Sequence, residues 1–357
     1  MRIGVDAREL SGEATGVGRY LRCLLHEWGL SGTAHQWTLY SHDGRLAVPP
    51  GLQAEVTIVP GKGNTGWEQG ALARAVRRDQ PDLFFAPGYT APLLIGVPLV
   101  VVIHDVSFAA HPEWFGWREG LRRRWLARLA AMKARAVITV SEFSRGEIVQ
   151  HLGIAADRIR VIPHGVGLST AAVSTAAREP LVLFVGSIFN RRHVPTLLEA
   201  FARLSQRRPD IRLEIVGANR THPRVDLHAL AAAAVPDRVQ VRDWVDDEEL
   251  RSLYARASAF AFLSEYEGFG LTPLEALASG IPPVVLDTPV AREVLADAAL
   301  YVATPESTRV AEALDAALGP SAERDRVLRA APEVLARYDW RRAATATLTL
   351  LEHAAKS

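Results

Sequence analysis

The hydrophobic residues fall in short apolar runs, and each run is followed by a longer amphipathic segment. Apolar runs that alternate with helical patterns are typical of parallel strands buried on both faces of a sheet. The first predicted helix covers about Tyr20–Trp28. The pattern predicts seven strands in the first half of the chain: Arg2–Asp6, Trp37–Tyr40, Ala54–Val59, Leu83–Ala86, Leu99–Ile103, Ala136–Val140 and Arg158–Pro163.

The pattern then begins again, with predicted strands at Pro180–Gly186, Arg212–Gly217, Val239–Val241, Ala259–Leu263 and Pro283–Leu286 and a helix at about Pro195–Arg207. Residues 165–179 between the halves are rich in Ser, Thr, Ala and Gly, which indicates a linker. We therefore predict an α/β protein with two Rossmann-like domains, residues 1–168 and 169–338, followed by a C-terminal helix in 339–357. Two such domains place a ligand cleft at the carboxyl ends of their strands.

Composition narrows the class of protein without naming a function. The chain has 357 residues, 48% hydrophobic and 23% charged, with a formal net charge of +1. This balance gives no general attraction to nucleic acid. Cys23 is the single cysteine, so an intramolecular disulfide and a thiolate zinc site are both excluded. The sequence opens on a predicted strand and has no apolar run of bilayer length, so we expect a cytoplasmic protein without a signal peptide.

The most informative motif is Ser264–Gly280, which follows the predicted strand Ala259–Leu263. Glu267 and Glu275 lie eight positions apart, with a glycine-rich turn between them. The segment from Thr272 predicts a helix start, with Thr272 as N-cap and Glu275 closing a capping box. Glycines and helix-start amides at one place suit phosphate or sugar oxygens. The alternative is structural, because Glu275 can serve the cap alone and Glu267 can be a solvated loop acid.

The whole string resembles the Glu-x7-Glu signature of family 4 retaining glycosyltransferases, which have the GT-B fold. Glu267 and Glu275 match the two glutamates of the signature. The resemblance implies that Glu267 binds a sugar hydroxyl and that Glu275 binds the nucleotide ribose. It also implies a C-terminal helix that crosses back onto the first domain. The matched core of the signature, which we assign to donor binding together with Thr272, is Gly268, Phe269, Gly270 and Leu271.

Arg191 and Arg192 follow the first predicted strand of the second domain and Gly186, which we also assign to donor binding. Family members usually carry an Arg-Lys pair here, and its two cations bind the leaving diphosphate. Arg192 stands where lysine is usual and offers a planar fork in place of an ammonium. His193 replaces the usual asparagine. The alternative is a pair of solvated loop arginines.

Two further positions are assigned by resemblance in the first domain. Gly16 and Gly18, after Gly12, open the first helix and resemble the family's glycine loop near the donor diphosphate. Their spacing alone is weak and also fits a simple strand-to-helix turn. His104 ends an apolar run, and its surroundings resemble a sub-group of the family in which many members transfer mannose. The resemblance implies that His104 contacts the donor sugar, whereas we interpret His111 as structural.

A basic helix is predicted near residues 117–136, and it also carries Trp117, Leu121, Trp125, Leu129 and Met132 at helical spacing. Our main prediction is a solvated basic face above a core-facing apolar stripe. The second hypothesis is peripheral contact with anionic lipid on the inner membrane face. The cations of this helix and its end are Arg118, Arg122, Arg123, Arg124, Arg128, Lys133 and Arg135.

The resemblance implies a retaining, metal-independent hexosyl transfer in which the leaving phosphate helps to deprotonate the acceptor. No Asp-x-Asp metal motif occurs in the chain, and we expect no cofactor. We favour GDP-mannose as donor, with a UDP-sugar as the alternative, and a glycan or lipid-linked acceptor. A nucleotide-sugar epimerase, a nicotinamide-dependent oxidoreductase and a non-catalytic nucleotide-sugar-binding protein are the competing functions. The absent dinucleotide fingerprint argues against the oxidoreductase.

Overall fold

A computed structural model describes residues 1–11, 16–167 and 178–356. The chain divides into two compact units, Met1–Gly165 with Asp339–Ser357 and Val166–Tyr338. Most of the predicted linker, residues 168–177, lies outside the described residues, and so does Gly12. We describe each unit by itself.

The first unit contains a seven-stranded sheet in which every pair is parallel, with the order β3-β2-β1-β4-β5-β6-β7. Strands β4 to β6 are buried at every position, as their apolar sequences predict. The strand bounds are β1 (Arg2–Asp6), β2 (Gln36–Ser41), β3 (Ala54–Ile58), β4 (Leu83–Ala86), β5 (Leu99–Val102), β6 (Ala136–Thr139) and β7 (Ile159–Val161).

Helices cover both faces of this sheet and leave its carboxyl edge to loops. A π-helical segment, Trp67–Leu72, leads directly into the second helix. Short 3-10 helices occur at Arg8–Leu10, Pro112–Trp114 and Ala156–Arg158. The helix bounds are α1 (Gly16–Leu30), α2 (Ala73–Asp79), α3 (Ser107–Ala110), α4 (Trp117–Lys133) and α5 (Glu142–Leu152).

The second unit repeats this strand order in a six-stranded parallel sheet, β10-β9-β8-β11-β12-β13. Its last strand, Leu300–Val302, is not among the strands that the pattern predicts. The prediction of two α/β units with parallel sheets is confirmed. The strand bounds are β8 (Leu181–Val185), β9 (Arg212–Val216), β10 (Val239–Arg242), β11 (Ala259–Phe262), β12 (Pro283–Leu286) and β13 (Leu300–Val302).

Seven α-helices accompany the second sheet in the described residues, and a short 3-10 helix covers Asn190–Arg192. α6 shows the local rule clearly, because its apolar positions recur at helical spacing and its inner face is buried from Val194 to Leu204. The bounds are α6 (Val194–Arg207), α7 (Leu227–Ala234), α8 (Asp247–Arg256), α9 (Leu271–Ala278), α10 (Pro289–Leu295), α11 (Ser307–Leu318) and α12 (Ala322–Leu335).

The last helix, α13 (Trp340–Lys356), belongs to the first unit. It packs on α1, where the Trp28 indole Nε1 donates a hydrogen bond to the Ala344 carbonyl at 2.9 Å. Trp28 also stacks on Trp37 of β2, with ring centroids 4.5 Å apart. The chain therefore returns to the first core after completing the second sheet. No helix in the described residues is long and apolar enough to cross a membrane.

The orientation of α4 differs from our main prediction for the basic helix. The residues that face the core are small: Gly120, Ala127, Ala130 and Ala131. Five large apolar side chains, from Trp117 to Met132, are exposed to solvent, whereas Leu126 is half-buried. Small side chains let the helix backbone lie close to its neighbours, so the bulky ones are turned outward. The prediction of a core-facing apolar stripe on this helix is therefore wrong.

Candidate active site

The second unit brings Arg192 and Glu267 into contact at the carboxyl edge of its sheet. Arg192 follows β8 and Glu267 follows β11, and these strands are neighbours. Arg192 donates to Glu267 Oε1 from Nε at 2.9 Å, and Nη2 lies 2.7 Å from the same oxygen. The hydroxyl of Ser264 donates to this oxygen as well, at 2.8 Å. Glu267 is thus a paired acid, which excludes the solvated loop acid as its description.

The guanidinium of Arg192 is held on several sides. Nη1 donates to the Ser187 carbonyl at 2.7 Å, and the guanidinium carbon lies 4.8 Å from the Phe262 ring centroid. A Cβ at Gly186 would come within 2.6 Å of Nη1, so glycine makes room for this arginine. A fork with two acceptors and an aromatic neighbour has one defined orientation.

Arg191 joins the same two loops. Its Nε donates to the Tyr266 carbonyl at 3.2 Å, and its own carbonyl accepts from the Glu265 amide at 3.0 Å. The guanidinium lies 4.5 Å from the Phe189 ring centroid. His193, in a left-handed conformation with φ of 46°, ion-pairs with Glu265 at 2.8 Å when protonated. Both arginines are thus anchored, which argues against two freely solvated side chains.

The helix start at the glutamate motif differs from the prediction. α9 begins at Leu271 and its N-cap is Gly270, with φ of 89° and no side-chain cap. Thr272 is therefore the second helical residue and not the cap. Glycine adopts this left-handed backbone without steric cost, so it turns the chain into the helix two residues earlier. Thr272 Oγ1 is buried and has no hydrogen-bond partner among the described residues.

Glu275 does not close a capping box. It lies in the middle of α9, is 1% exposed, and its Oε2 accepts a hydrogen bond from the Tyr254 hydroxyl at 3.3 Å. Phe269, on the turn before the helix, packs edge-on against Tyr338 with centroids 5.2 Å apart. Gly268 lies between Glu267 and this ring. The motif therefore fixes one acid in the core and leaves the other at the sheet edge.

The carboxyl edge of the first sheet is aromatic. His104 follows β5, and its ring centroid lies 4.9 Å from that of Tyr20 and 5.3 Å from that of His164. Nε2 donates to the Pro87 carbonyl at 2.9 Å, so Nδ1 is the acceptor nitrogen of the neutral ring. Burial lowers the pKa of His104, against smaller raising effects of this bond and of Asp105. Burial, and then the nearby His104, lower the pKa of His164 further.

The remaining predicted residues also lie in the first unit. Gly16 is the first residue of α1, and a Cβ there would meet no described atom within 4 Å. Gly18 is buried in the same first turn. His111 pairs with Glu113 at 3.0 Å and stacks on Trp114. No group of three or more His, Cys, Asp or Glu in the described residues is arranged to hold a metal ion.

Sequence reasoning did not select two residues that the structure places at these edges. Ser264 directly contacts Glu267, and His164 stacks on His104. Each follows the carboxyl end of a strand, β11 or β7, so strand ends are the signal that could have found them.

Known protein families match both units. Residues 14–170 match the model described as Glycosyltransferase Family 4, and residues 170–334 match the model described as Glycosyl transferases group 1. The chain belongs to glycosyltransferase family 4. The matched ranges include Glu267, Arg191, Arg192 and His104, the positions that carry the resemblance in the sequence.

Two curated relatives are mannosyltransferases by name. The O-antigen chain mannosyltransferase RfbU of Salmonella typhimurium is 28% identical over 233 residues, which cover 65% of this chain and 64% of that protein. The GDP-mannose:cellobiosyl-diphosphopolyprenol alpha-mannosyltransferase of Xanthomonas oryzae is 32% identical over 200 residues, covering 55% and 51%. The chain thus spans about half to two thirds of the length of the curated relatives that it matches.

The fold matches over nearly the full chain. The crystal structure of Anabaena HepE in complex with UDP and glucose superposes with a TM-score of 0.73, at 20% identity, and covers 98% of this chain and 99% of that one. The architecture is therefore GT-B, with two Rossmann-like domains.

Proposed function

We propose that this protein is a retaining glycosyltransferase that transfers mannose from GDP-mannose to a glycan or lipid-linked acceptor. The observation that carries the proposal is the Arg192–Glu267 pair at the carboxyl edge of the second sheet. Breaking a sugar–phosphate bond creates negative charge on the diphosphate and positive charge on the sugar ring. A site with cations and a carboxylate side by side can stabilise both.

Arg191 and Arg192 bind the departing diphosphate in this proposal. Both guanidinium groups are held by aromatic rings and backbone carbonyls, so their charge is oriented before the donor arrives. The first amides of α9 point their N–H groups out of the helix start and add positive potential. The buried hydroxyl of Thr272 can pair with a donor oxygen, which removes the cost of leaving it unpaired.

Glu267 accepts a hydrogen bond from a hydroxyl of the transferred sugar. Ser264 and Arg192 occupy one of its oxygens, Oε1, and fix the plane of the carboxylate. His104, neutral at pH 7 because burial lowers its pKa, offers Nδ1 as a second sugar acceptor. The ribose contact of Glu275 stays a prediction, and its 1% exposure requires movement of the side chains that cover it.

The names of the curated relatives support the choice of mannose and of a lipid-linked acceptor. One relative is named for GDP-mannose and a diphosphopolyprenol, and a second for mannosyl transfer to the O-antigen chain. We further propose that transfer needs no metal, because two arginines and a helix start can balance the diphosphate charge. The leaving phosphate then takes the acceptor proton on the face it vacates, and configuration is retained.

A thermal-shift panel tests the donor class. GDP-mannose, GDP, UDP-glucose, UDP-N-acetylglucosamine, UDP and NAD are compared in EDTA and then in magnesium. A ligand at about one hundred times its dissociation constant stabilises the fold by roughly 2.7 kcal/mol. We expect selective stabilisation by GDP and GDP-mannose in EDTA. Selective stabilisation by uridine nucleotides contradicts the donor, and stabilisation only in magnesium contradicts metal independence.

Product analysis then tests the reaction. Incubation with the stabilising donor and an acceptor extract is expected to give a glycoside with the donor's anomeric configuration, read by NMR. An epimerised nucleotide sugar formed without acceptor identifies an epimerase. Binding without turnover of any acceptor, with slow donor hydrolysis also absent, identifies a binding protein.

A further inference from the structure

The outward face of α4 carries five exposed apolar side chains, which we call the α4 stripe: Trp117, Leu121, Trp125, Leu129 and Met132. Their exposed fractions range from 39% for Leu129 to 73% for Trp117. An α-helix turns by about 100° per residue, so the five positions fall within an arc of about 120°. They form one continuous surface along the helix and are not scattered singly.

The stripe has no role in the core of the first unit. The opposite face of α4 meets the core through Gly120, Ala127, Ala130 and Ala131, all buried. Two tryptophans on one solvent-exposed stripe are unfavourable in water, and contiguous exposed apolar surface marks an interaction site. An external partner would explain the stripe.

The charges around the stripe define that partner. Residues 117–135 contain seven Arg or Lys and one Glu, a formal charge of +6, whereas the whole chain carries +1. Arg118 lies with its guanidinium 5.0 Å from the Trp117 ring centroid, and Arg124 and Arg128 are exposed on the same side of the helix. The partner must therefore offer both apolar depth and negative charge.

The surface continues past the end of the helix. Lys133 donates a hydrogen bond to the Leu93 carbonyl, which places the next residue, Leu94, near the last turn of α4. Leu94 is itself 66% exposed. The apolar surface thus spans the helix and an adjacent loop, with cations along it.

An anionic bilayer surface meets both requirements. The Leu and Met side chains can be buried among the acyl chains, and tryptophan rings favour the headgroup level. The arginines can pair with the lipid phosphates. A second copy of this chain would bring two segments of charge +6 together, which is repulsive. A nucleic-acid backbone would neutralise the charge but leave Leu121, Leu129 and Met132 without apolar contact.

We propose that α4 docks the first unit on an anionic lipid bilayer, with the α4 stripe in the headgroup boundary and its arginines on the phosphates. This interaction is separate from sugar transfer and does not depend on the donor. It would hold the protein at the surface on which a lipid-linked acceptor is found.

Vesicle flotation with the full chain tests the docking. We expect the protein to float with vesicles of phosphatidylcholine and phosphatidylglycerol and to remain at the bottom with phosphatidylcholine alone. Raising salt from about 0.1 M to about 1 M shortens the Debye length from roughly 10 to 3 Å and should reduce the bound fraction. Brominated lipid should quench tryptophan fluorescence in the anionic vesicles.

Matched variants distinguish an effect of the α4 stripe from an effect of exposed tryptophans and arginines in general. The pair Trp117→Ala and Trp125→Ala should lower the vesicle partition coefficient about tenfold or more. The pair Arg124→Gln and Arg128→Gln should lower it as well, and the loss should be smaller at high salt. Trp244→Ala, at an exposed tryptophan of the second unit, and Arg251→Gln with Arg329→Gln should have no effect.

Several outcomes overturn the proposal. The first is that the wild-type protein, folded by circular dichroism, is not recovered with anionic vesicles in any salt. The second is that the variant with both tryptophans replaced floats as the wild type does. A dimer in sedimentation that Trp117→Ala with Trp125→Ala dissociates would assign the stripe to a second copy. Binding of duplex DNA or RNA in place of vesicles would assign it to nucleic acid.

Discussion

The two units share one strand order, yet the carboxyl edges of their sheets have opposite character. In the second unit the edge is ionic, with Arg192 paired to Glu267 and Arg191 beside them. In the first unit the edge is aromatic, with His104 and His164 stacked near Tyr20. Burial lowers the pKa of both histidines, so this edge carries neutral rings at pH 7.

In the proposed function, this difference lets a repeated fold divide the work of one reaction. The sheet only determines where ligands approach, at the ends of its parallel strands. The loops decide the chemistry, and a charged edge suits a diphosphate whereas neutral acceptor nitrogens suit sugar hydroxyls. Glycine contributes to the charged edge, because Gly186 leaves the space that the Arg192 guanidinium occupies.

The largest effect is expected from Glu267→Ala in the ionic edge. Losing a group that stabilises the transition state lowers kcat by about 10²–10³-fold. The side chains of Arg192 and Glu267 are only 12% and 18% exposed, but Arg192 keeps its hydrogen bond to the Ser187 carbonyl, so thermal stability should fall far less than turnover. Donor turnover is measured beside that of Glu265→Ala, which removes the neighbouring acid that pairs with His193. Wild-type turnover of Glu267→Ala contradicts its assignment.

The next effect is expected from replacing both Arg191 and Arg192 by Ala. A hydrogen bond to a charged group contributes about 1.5–3 kcal/mol, so affinity for GDP should fall by at least about 10–100-fold when both arginines are lost. Isothermal titration with GDP is the measurement, and Arg251→Ala, at an exposed arginine elsewhere in the unit, is the control. Unchanged affinity for the diphosphate rules out the pair and removes the contrast between the two edges.

The fold was predictable where the strand sequences are apolar enough to indicate burial on both faces of the sheet. Leu99–Val102 and Ala136–Thr139 are continuous apolar runs because both faces of the sheet are covered. The strand Leu300–Val302 was not predicted, because three residues are too short to show a hydrophobic periodicity. α4 was assigned the wrong inner face because large apolar residues recur helically on the side that meets solvent. The small residues of α4 determine which face of the helix packs on the core. The periodicity of the bulky residues alone does not reveal this face.

The sequence motifs predicted single residues of the candidate site. They did not predict which residues contact each other there. Glu267 and Arg192 belong to segments 75 positions apart, and their ion pair depends on β8 lying beside β11. The start of α9 was misplaced because Thr272 and Glu275 fit a capping pattern. The actual start depends on the left-handed backbone of Gly270, which the sequence allows but does not require.

A smaller effect, on stability alone, is expected from Gly217→Ala at the end of β9. Gly217 has φ of 153°, and an added Cβ would lie 2.0 Å from the Gly186 carbonyl oxygen. Backbone strain and this clash should destabilise the second unit by about 2 kcal/mol. This loss of stability is measured by urea unfolding, with unfolding of the second unit detected by proteolysis and identification of its peptides. Gly319→Ala, where an added Cβ meets only ordinary contacts, should cost less, and equal losses would contradict the role of this close approach.

The smallest effect concerns the neutral edge and appears only in acid. The pKa of His164 is lowered well below its ordinary value, mainly by burial and then by His104. The unfolded chain therefore binds the proton more tightly, and falling pH favours unfolding once it passes the ordinary value of about 6.5. The free energy of unfolding should then drop by up to about 1.4 kcal/mol per pH unit, while above that pH the histidine contributes no slope.

His164→Phe keeps an aromatic ring beside Tyr20 and removes the titrating group. Urea midpoints for the first unit between about pH 5 and about pH 8 should therefore fall less steeply in this variant than in the wild type. His228→Gln, at an exposed histidine of the second unit, should leave the slope unchanged. If His164→Phe and wild type lose stability in parallel, the folded unit does not lower the pKa of His164, and its ring takes up a proton below about pH 6.5 as it does in the unfolded chain. The aromatic edge would then become cationic in acid, and its contrast with the ionic edge would hold only at neutral pH.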